Sequence, residues 1–223
     1  MSTRPPPRTL TVLSRQSLSP SMIRVSLGGP GLAGFPPDFA GGYVKLMLAP
    51  ATAGGKPVVR TYTIRHQGED AIAIDFALHG GEAAGPATRW ALSANPGDTI
   101  KVGGPGLPKP LPQGRDFYLV AGDMTALPAI AVNLEALPAD ARGFAAIEIQ
   151  DERDRQDIAA PEGVEIAWLV NPEPGQRPAL LVDALRNAAR PEGSLAAWAA
   201  NICAANSRSR PPISTSPAIG NTA

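Results

Sequence analysis

The pattern of apolar and polar positions divides the chain into two halves of different character. In the first half, short runs rich in β-forming residues end at Gly, Pro, Asp or Asn, which is typical of strands joined by turns. These runs are RTLTVLSRQ, MIRVSLGG, GGYVKLMLAP, VVRTYTIRH, AIAIDFALHG and TIKVGGPG. One short helix is predicted in GPATRWALSANPGD, with Pro86 in its first turn and Asn95-Pro96-Gly97 after its end. Five or six antiparallel strands with one helix predict a small Greek-key β-barrel.

The second half has longer apolar segments. FYLVAGD, GFAAIEIQ, VEIAWLV and SLAAWAA are continuous apolar runs, as in buried parallel strands. MTALPAIAVNLEALP and ALLVDALRNA place apolar residues at helical spacing, so the order of elements predicts an open α/β sheet. The proline-rich connection LPKPLPQGRD separates the two patterns. We therefore expect one domain over residues 1–112 and a second over residues 113–200.

Charge adds one asymmetry to this picture. The 223 residues carry 20 basic and 20 acidic side chains, and a net charge of zero argues against nucleic acid as a partner. Residues 1–112 nevertheless hold 11 basic and 6 acidic side chains, whereas residues 113–223 hold 9 and 14. The split is either ordinary fluctuation or the mark of an anionic ligand in the first half.

Several classes of protein are disfavoured. No apolar run reaches the roughly 18 residues of a membrane span. The start, MSTRPPPRTL, lacks the apolar core of a secretory signal, so we expect a cytoplasmic protein, acting as a monomer. The single cysteine, Cys203, excludes an internal disulfide and a multi-cysteine metal cluster, and no metal site or catalytic side chain is predicted.

The RTYT segment carries the first candidate chemistry. In a strand, residues 60 and 62 point to one face and residues 61, 63 and 65 to the other. Arg60 offers a planar cationic fork to a phosphate, Tyr62 a ring and a hydroxyl, and Thr63 a hydrogen bond to a ring heteroatom. The alternative is an exposed strand with polar decoration.

A second motif opens the predicted helix of the first half. Gly85, Ala87 and Thr88 lie where unpaired backbone N–H groups, the helix dipole and a hydroxyl form an anion site. Taken with RTYT, this predicts a flat ring against Tyr62 and a pyrophosphate between Arg60 and the helix start, which is the shape of FAD.

These segments resemble the siderophore-interacting proteins, a family of flavin-dependent ferric-siderophore reductases related to the ferredoxin reductases. The resemblance rests on RTYTIR, DFALHG, GPATRWA, PGDTIKVGGPG, YLVAGDMTALPAI, IEIQD and VEIAWLV, and runs from about Leu10 to Trp198. It implies that electrons pass from NAD(P)H, or from a ferredoxin, through FAD to a ferric siderophore, which then releases Fe(II).

The resemblance also implies roles for individual residues. Lys45 matches a basic position at the entrance of the family's siderophore-binding site. The alternative is an ordinary lysine on a barrel strand with its charge in water. Arg65, Arg89 and Lys101 are further basic residues expected to add to the same positive field, although no motif singles them out. The implied cofactor-binding residues are Arg60, Tyr62, Thr63, His79, Gly80, Gly85, Ala87, Thr88, Asp123 and Thr125. The last two match the segment where the pyridine nucleotide approaches the flavin, and Asp123 or Thr125 is also a candidate cap for the following helix.

Two departures from the family stand out. Met124 replaces an acidic residue between Asp123 and Thr125. Residues 201–223 contain no acidic residue and no clear periodicity, where the family has a turn and an arginine-bearing helix. This segment is either a disordered tail or the product of an altered reading frame. In the second case the chain is an impaired reductase that binds flavin or siderophore without turnover.

Overall fold

The computed structural model describes residues 6–50, 54–79, 84–173, 179–189 and 191–200, which form two sheets. The first sheet, here the barrel, has seven antiparallel strands in the order β4-β3-β7-β1-β2-β6-β5. Its elements along the chain are β1 (Arg8–Ser19), β2 (Met22–Gly28), β3 (Tyr43–Leu48), β4 (Val58–Thr63), β5 (His66–Gln67), β6 (Ala71–Ala77), helix α1 (Pro86–Ser93) and β7 (Thr99–Gly106).

Alternation along the strands builds the barrel core. Val25 and Leu27 on β2, with Ile72 and Ile74 on β6, are fully buried, and their neighbours on the opposite face are more exposed. Helix α1 packs onto the same core through small residues, Ala87, Ala91 and Ala94. The predicted antiparallel barrel with one short helix is confirmed. It differs from the expectation in one respect, because VVRTYTIRH forms two strands, β4 and β5, rather than one.

The second sheet, here the α/β domain, has four parallel strands in the order β10-β9-β8-β11. Its elements are β8 (Phe117–Gly122), α2 (Leu127–Glu135), β9 (Gly143–Ile149), β10 (Val164–Val170), α3 (Ala179–Asn187) and β11 (Leu195–Ala200). Leu127, Ile130 and Leu134 of α2 are at most 1% exposed, which explains the helical spacing of apolar residues in this segment. The predicted open α/β sheet is confirmed.

The two sheets are packed together through apolar and polar contacts. Met22 and Ala77, which belong to barrel strands, are part of the hydrophobic core of the α/β domain. The fully buried Asp154 accepts hydrogen bonds from Ser19 Oγ (2.6 Å) and from the backbone N–H of Ser21 (2.8 Å). The barrel is therefore fixed against the α/β domain.

None of the helices in these described ranges is long and apolar enough to cross a membrane. The connection between β7 and β8 contains the predicted division at residue 112, and that division stays a prediction. Residues 201–223, with the two interpretations of that segment, lie outside the described residues.

Candidate functional site

A cavity of about 750 Å³ lies between the barrel and the α/β domain. It faces the carboxyl ends of β8 and β11, which are neighbours in the sheet although β9, β10 and α3 separate them along the chain. In open α/β sheets such a switch point is where ligands bind. Side chains from both domains contribute to the walls, among them Tyr43, Lys45, Tyr62, Thr63, Thr125 and Trp198.

One face of β4 carries an aromatic ring and a guanidinium, and the ring is linked to helix α1 through stacked aromatic neighbours. Tyr62 lies opposite the buried Val44, and its ring centroid is 4.4 Å from that of Phe76, which is 5.5 Å from that of Trp90 on α1. Burial raises the pKa of the Tyr62 phenol, so its hydroxyl stays protonated at neutral pH. Arg60 shares this face and is exposed. Its one hydrogen bond within the described residues goes to the Val59 carbonyl, at 3.0 Å.

The opposite face of β4 also contributes to the cavity wall, together with Tyr62. Thr61 and Thr63 lie opposite Lys45 and Tyr43 of β3, so hydroxyls, an ammonium group and a phenol share one surface. The Tyr43 ring lies against Gly106 of β7, where a Cβ atom would come within 2.1 Å of the ring. Only glycine permits this contact, which sets the phenol beside Lys45 at the cavity mouth.

The start of α1 has the features of an anion site. Its N-cap is Gly85, which has no side chain to cap the first turn. Ala87 and Thr88, which follow Pro86, are 6% and 4% exposed, so the first turn is anchored in the barrel core. N–H groups at an anchored helix start fit the pyrophosphate of a flavin dinucleotide. This half of the site lies outside the wall of the cavity itself.

The segment after β8 is held by Asp123. Its Oδ1 accepts hydrogen bonds from Thr125 N (2.9 Å), Thr125 Oγ1 (2.6 Å) and Ala126 N (3.2 Å), which close the turn before α2. A Cβ atom on Gly122 would lie 2.7 Å from the Ala126 side chain, so glycine allows α2 to approach β8 closely. Thr125 thereby lines both the large cavity and a smaller one of about 200 Å³.

The structure groups the predicted residues into three sets. Lys45, Tyr62, Thr63, His79 and Thr125 line the large cavity, and Asp123 lines the smaller one beside it. A second set surrounds the barrel helix and comprises Arg60, Gly85, Ala87 and Thr88. The third is Gly80, which lies outside the described residues.

Arg65 does not have the role that the sequence suggested. It was expected to add to the positive field of the site. Instead its guanidinium donates two hydrogen bonds to Glu135 of α2, at 2.8 and 2.5 Å, and the residue is 6% exposed. The strand ends at Thr63, so the alternation that placed residue 65 with residues 61 and 63 no longer applies.

Three further residues of the cavity were missed by the sequence analysis. Lys109, on the connection between the domains, adds a second exposed ammonium group to the mouth. Trp198 enters from β11, and Tyr43 from β3. The aromatic residue two positions before Lys45 was a usable signal for Tyr43, because residues i and i+2 share a strand face. Lys109 and Trp198 reach the site only through the docking of the two domains.

Comparison with protein families assigns both parts of the chain. The family described as "Siderophore-interacting FAD-binding domain" matches residues 11–55 and 51–109. The family described as "Siderophore-interacting protein" matches residues 115–209, which extends beyond the last described residue.

Individual relatives agree with this assignment. The chain is 35% identical over 215 residues to the ferric vibriobactin reductase ViuB of Vibrio cholerae, covering 87% of this chain and 78% of that protein. It is 30% identical over 190 residues to the NADPH-dependent ferric-chelate reductase of Escherichia coli K12, covering 74% and 72%. The crystal structure of the siderophore-interacting protein SipS from Aeromonas hydrophila superimposes with a TM-score of 0.75 at 38% identity, covering 87% and 79%.

Proposed function

Because the chain belongs to the siderophore-interacting protein family, we propose that it is an FAD-dependent oxidoreductase that reduces ferric siderophores, with NAD(P)H as electron donor. The observation that carries the proposal is the cavity between the two sheets. In it, Tyr62 and Thr63 of the flavin-binding motif, Thr125 of the nucleotide segment and the cation Lys45 share one space.

The barrel supplies the flavin site in this proposal. Arg60 and the uncapped start of α1 bind the pyrophosphate, and the Tyr62 ring, braced by Phe76, packs against the flavin ring. Thr63 faces the cavity and offers a hydroxyl to a ring heteroatom. When bound there, FAD supplies the conversion of a two-electron hydride donation into single-electron transfers to iron.

The α/β domain supplies the electron-donor side. Asp123 fixes the loop after β8 through three hydrogen bonds, so Thr125 is held at the cavity wall. The dependence of the Escherichia coli relative on NADPH favours a pyridine nucleotide as donor. A ferredoxin is the alternative donor.

The lysines at the mouth of the large cavity supply the positive electrostatic field that attracts the substrate in this proposal. Lys45 and Lys109 form no ion pair within the described residues, so both ammonium groups are available to an anionic chelate. Catecholate and hydroxamate oxygens bind the hard ferric ion much more tightly than the ferrous ion, so reduction releases the metal. No side chain has to transfer a proton in this scheme.

One purification and one assay test the proposal. The purified full chain should bind FAD with a flavin absorbance spectrum, and should oxidise NADPH or NADH only when a ferric chelate is added. Bound flavin without nucleotide oxidation, while chemically reduced ferredoxin supports iron release, would identify ferredoxin as the donor. Bound flavin with neither activity would favour the binding-only alternative, and a colourless protein after reconstitution would refute the flavin assignment.

The substitution Lys45→Ala distinguishes the proposed function from a third candidate, the reduction of free flavins. A free-flavin reductase has no need of a basic mouth, so its activity would be unchanged by this substitution. We expect the ferric-chelate reductase activity to fall instead.

A further inference from the structure

The smaller cavity of about 200 Å³ holds a buried carboxyl group that the proposed function does not use. Glu148 lies one residue before the end of β9, is 9% exposed and lines this cavity together with Asp123. Within the described residues it has no ion pair, and its single hydrogen bond comes from Asn171 Nδ2 to Oε1, at 2.9 Å. A buried carboxylate with one hydrogen bond and no cation is costly, and such groups concentrate at functional sites.

The strand order brings three polar residues to one edge of the sheet. Asp123 follows β8, Glu148 is the penultimate residue of β9, and Asn171 follows β10, and these strands are adjacent and parallel. Asn171 is 1% exposed, and its backbone N–H donates to the Ile149 carbonyl at 2.7 Å, so its amide holds Glu148 in place. The Asn171 Oδ1 atom is buried without a hydrogen-bond partner in the described part of the chain. This edge is where α/β sheets bind ligands.

The electrostatics of the cavity favour a cation. Burial is the largest influence on the pKa of Glu148 and raises it, and the neighbouring Asp123 carboxylate raises it further against the opposing hydrogen bond from Asn171. The ionised form is therefore disfavoured in the empty cavity, and a positive charge placed there would relieve it. Among the described residues, the other titratable group that faces the cavity is His79.

The lining selects the kind of cation. Ala77, Met124 and Ile149 give the cavity an apolar wall, and its volume equals about seven water molecules at roughly 30 Å³ each, enough for one aromatic ring. Within the described residues, no group of three or more His, Cys, Asp and Glu side chains is arranged to hold a metal ion. A flat organic cation fits this combination better than a hydrated metal ion.

We propose that Glu148, positioned by Asn171, makes this cavity selective for the oxidised, positively charged nicotinamide ring over the reduced, neutral ring. The inference rests on the proposed function, since it takes the donor to be a pyridine nucleotide. When the ring gives up a hydride, both electrons of its C–H bond leave with the hydrogen for the flavin, and the ring is left as a cation. Carboxylates beside that ring stabilise the charge as it develops.

Equilibrium binding tests the proposal without any turnover. NAD⁺ and its 1,4,5,6-tetrahydro analogue, whose neutral ring stands in for the reduced form, differ only in the nicotinamide ring. Neither can reduce oxidised FAD, so isothermal titration of FAD-loaded protein with each isolates the ring charge. The titration is repeated with NADP⁺ and its tetrahydro analogue. In Glu148→Gln, which keeps the shape and the Asn171 contact, affinity for the oxidised form should fall about 5- to 10-fold, and affinity for the reduced form should stay within about twofold. The matched control is Glu165→Gln, which removes an exposed carboxylate at the other end of β10 and should change neither.

A pH series adds a second readout. Oxidised-nucleotide affinity should increase as pH rises through the raised pKa of Glu148, and this increase should be absent in Glu148→Gln. Asp123→Asn serves as a second variant if Glu148→Gln does not fold, and should show the same selective loss.

Equal losses for both redox forms, or no loss for either, would overturn the proposal. If flavin-loaded wild-type protein binds no pyridine nucleotide at all, the inference fails together with the choice of donor, while the flavin assignment stands.

Discussion

Two clefts flank the boundary between the barrel and the α/β domain, and they differ in whether their cationic side chains form ion pairs. In the large cavity, Lys45 and Lys109 have no carboxylate partner among the described residues. A second cleft of about 480 Å³, here the outer groove, is lined by Arg24, Arg65 and Arg155 among other residues.

Every one of those groove arginines has an acidic partner. Arg65 binds Glu135, Arg155 binds Glu152 at 2.5 Å, and Arg24 binds Asp75 through two hydrogen bonds of 2.6 and 2.7 Å. The Arg24–Asp75 pair lies between the clefts, since Arg24 lines the groove and Asp75 lines the cavity. The comparison separates two uses of positive charge: Arg65 is paired across the two domains with Glu135, whereas the unpaired lysines are the cations that we propose to bind an anion.

The largest expected effect concerns an arginine without a carboxylate partner. Arg60→Ala removes the guanidinium proposed to bind the FAD pyrophosphate, and hydrogen bonds to charged groups are worth about 1.5–3 kcal/mol, or about 10- to 100-fold in affinity. FAD affinity, measured by fluorescence titration of the apoprotein, should fall by that factor with little change in the urea unfolding midpoint. Arg60→Lys keeps the charge but loses the planar fork of the guanidinium, so its FAD affinity should lie between those of wild type and Arg60→Ala. Unchanged FAD affinity in Arg60→Ala would contradict the assignment.

The paired arginine should show the reverse behaviour. Removing one partner of a fully buried ion pair costs about 3–5 kcal/mol, and because Glu135 is 28% exposed we expect about 2 kcal/mol of lost stability for Arg65→Met. Urea denaturation measures this loss, and FAD affinity of the folded variant should be preserved. The control is Arg155→Met, whose ion pair has side chains 52% and 63% exposed and should contribute less than about 0.5 kcal/mol.

A smaller effect is expected at the cavity mouth. Lys45→Ala and Lys109→Ala should each raise the KM for an anionic ferric chelate about 3- to 10-fold, and the difference from wild type should shrink as salt is added. Lys101→Ala, an exposed lysine of β7 outside the cavity wall, is the control. Equal effects of all three substitutions would mean that net charge, rather than the mouth, attracts the substrate.

The smallest effect concerns pH and the outer groove. Burial, Arg65 and Arg24 together lower the pKa of His66 below its ordinary value. The unfolded chain therefore binds a proton more readily than the folded chain, and stability falls as pH drops through the unfolded value of about 6.5. The urea midpoint of His66→Asn should lose less on acidification than that of wild type. Parallel curves of urea midpoint against pH for the two proteins would show that the groove arginines do not affect the protonation of His66.

The sequence was sufficient to predict the two folds and one strand face. Strict alternation in RTYT placed Arg60 and Tyr62 on one side of β4 and Thr63 on the other, and the register with β3 agrees. Pro86 and the glycine before it located the start of α1, because a proline is favoured in a first turn.

What the sequence could not give depends on contacts between distant segments. The Arg65–Glu135 pair joins residues 70 positions apart, and periodicity misled here because the buried Ile64 interrupts the alternation after β4. Asp123, Glu148 and Asn171 lie at or near the ends of three separate apolar runs in the sequence. Their grouping at the carboxyl edge of the sheet becomes visible only when the strand order is known. Local patterns specify elements, and the docking of those elements completes the site.

The presence of Met22 and Ala77 in the core of the α/β domain has a thermodynamic consequence. Each half of the molecule supplies atoms that the other needs to exclude water, so neither half is expected to melt alone. Calorimetry should record a single transition, and damage to either sheet should lower the melting temperature of both.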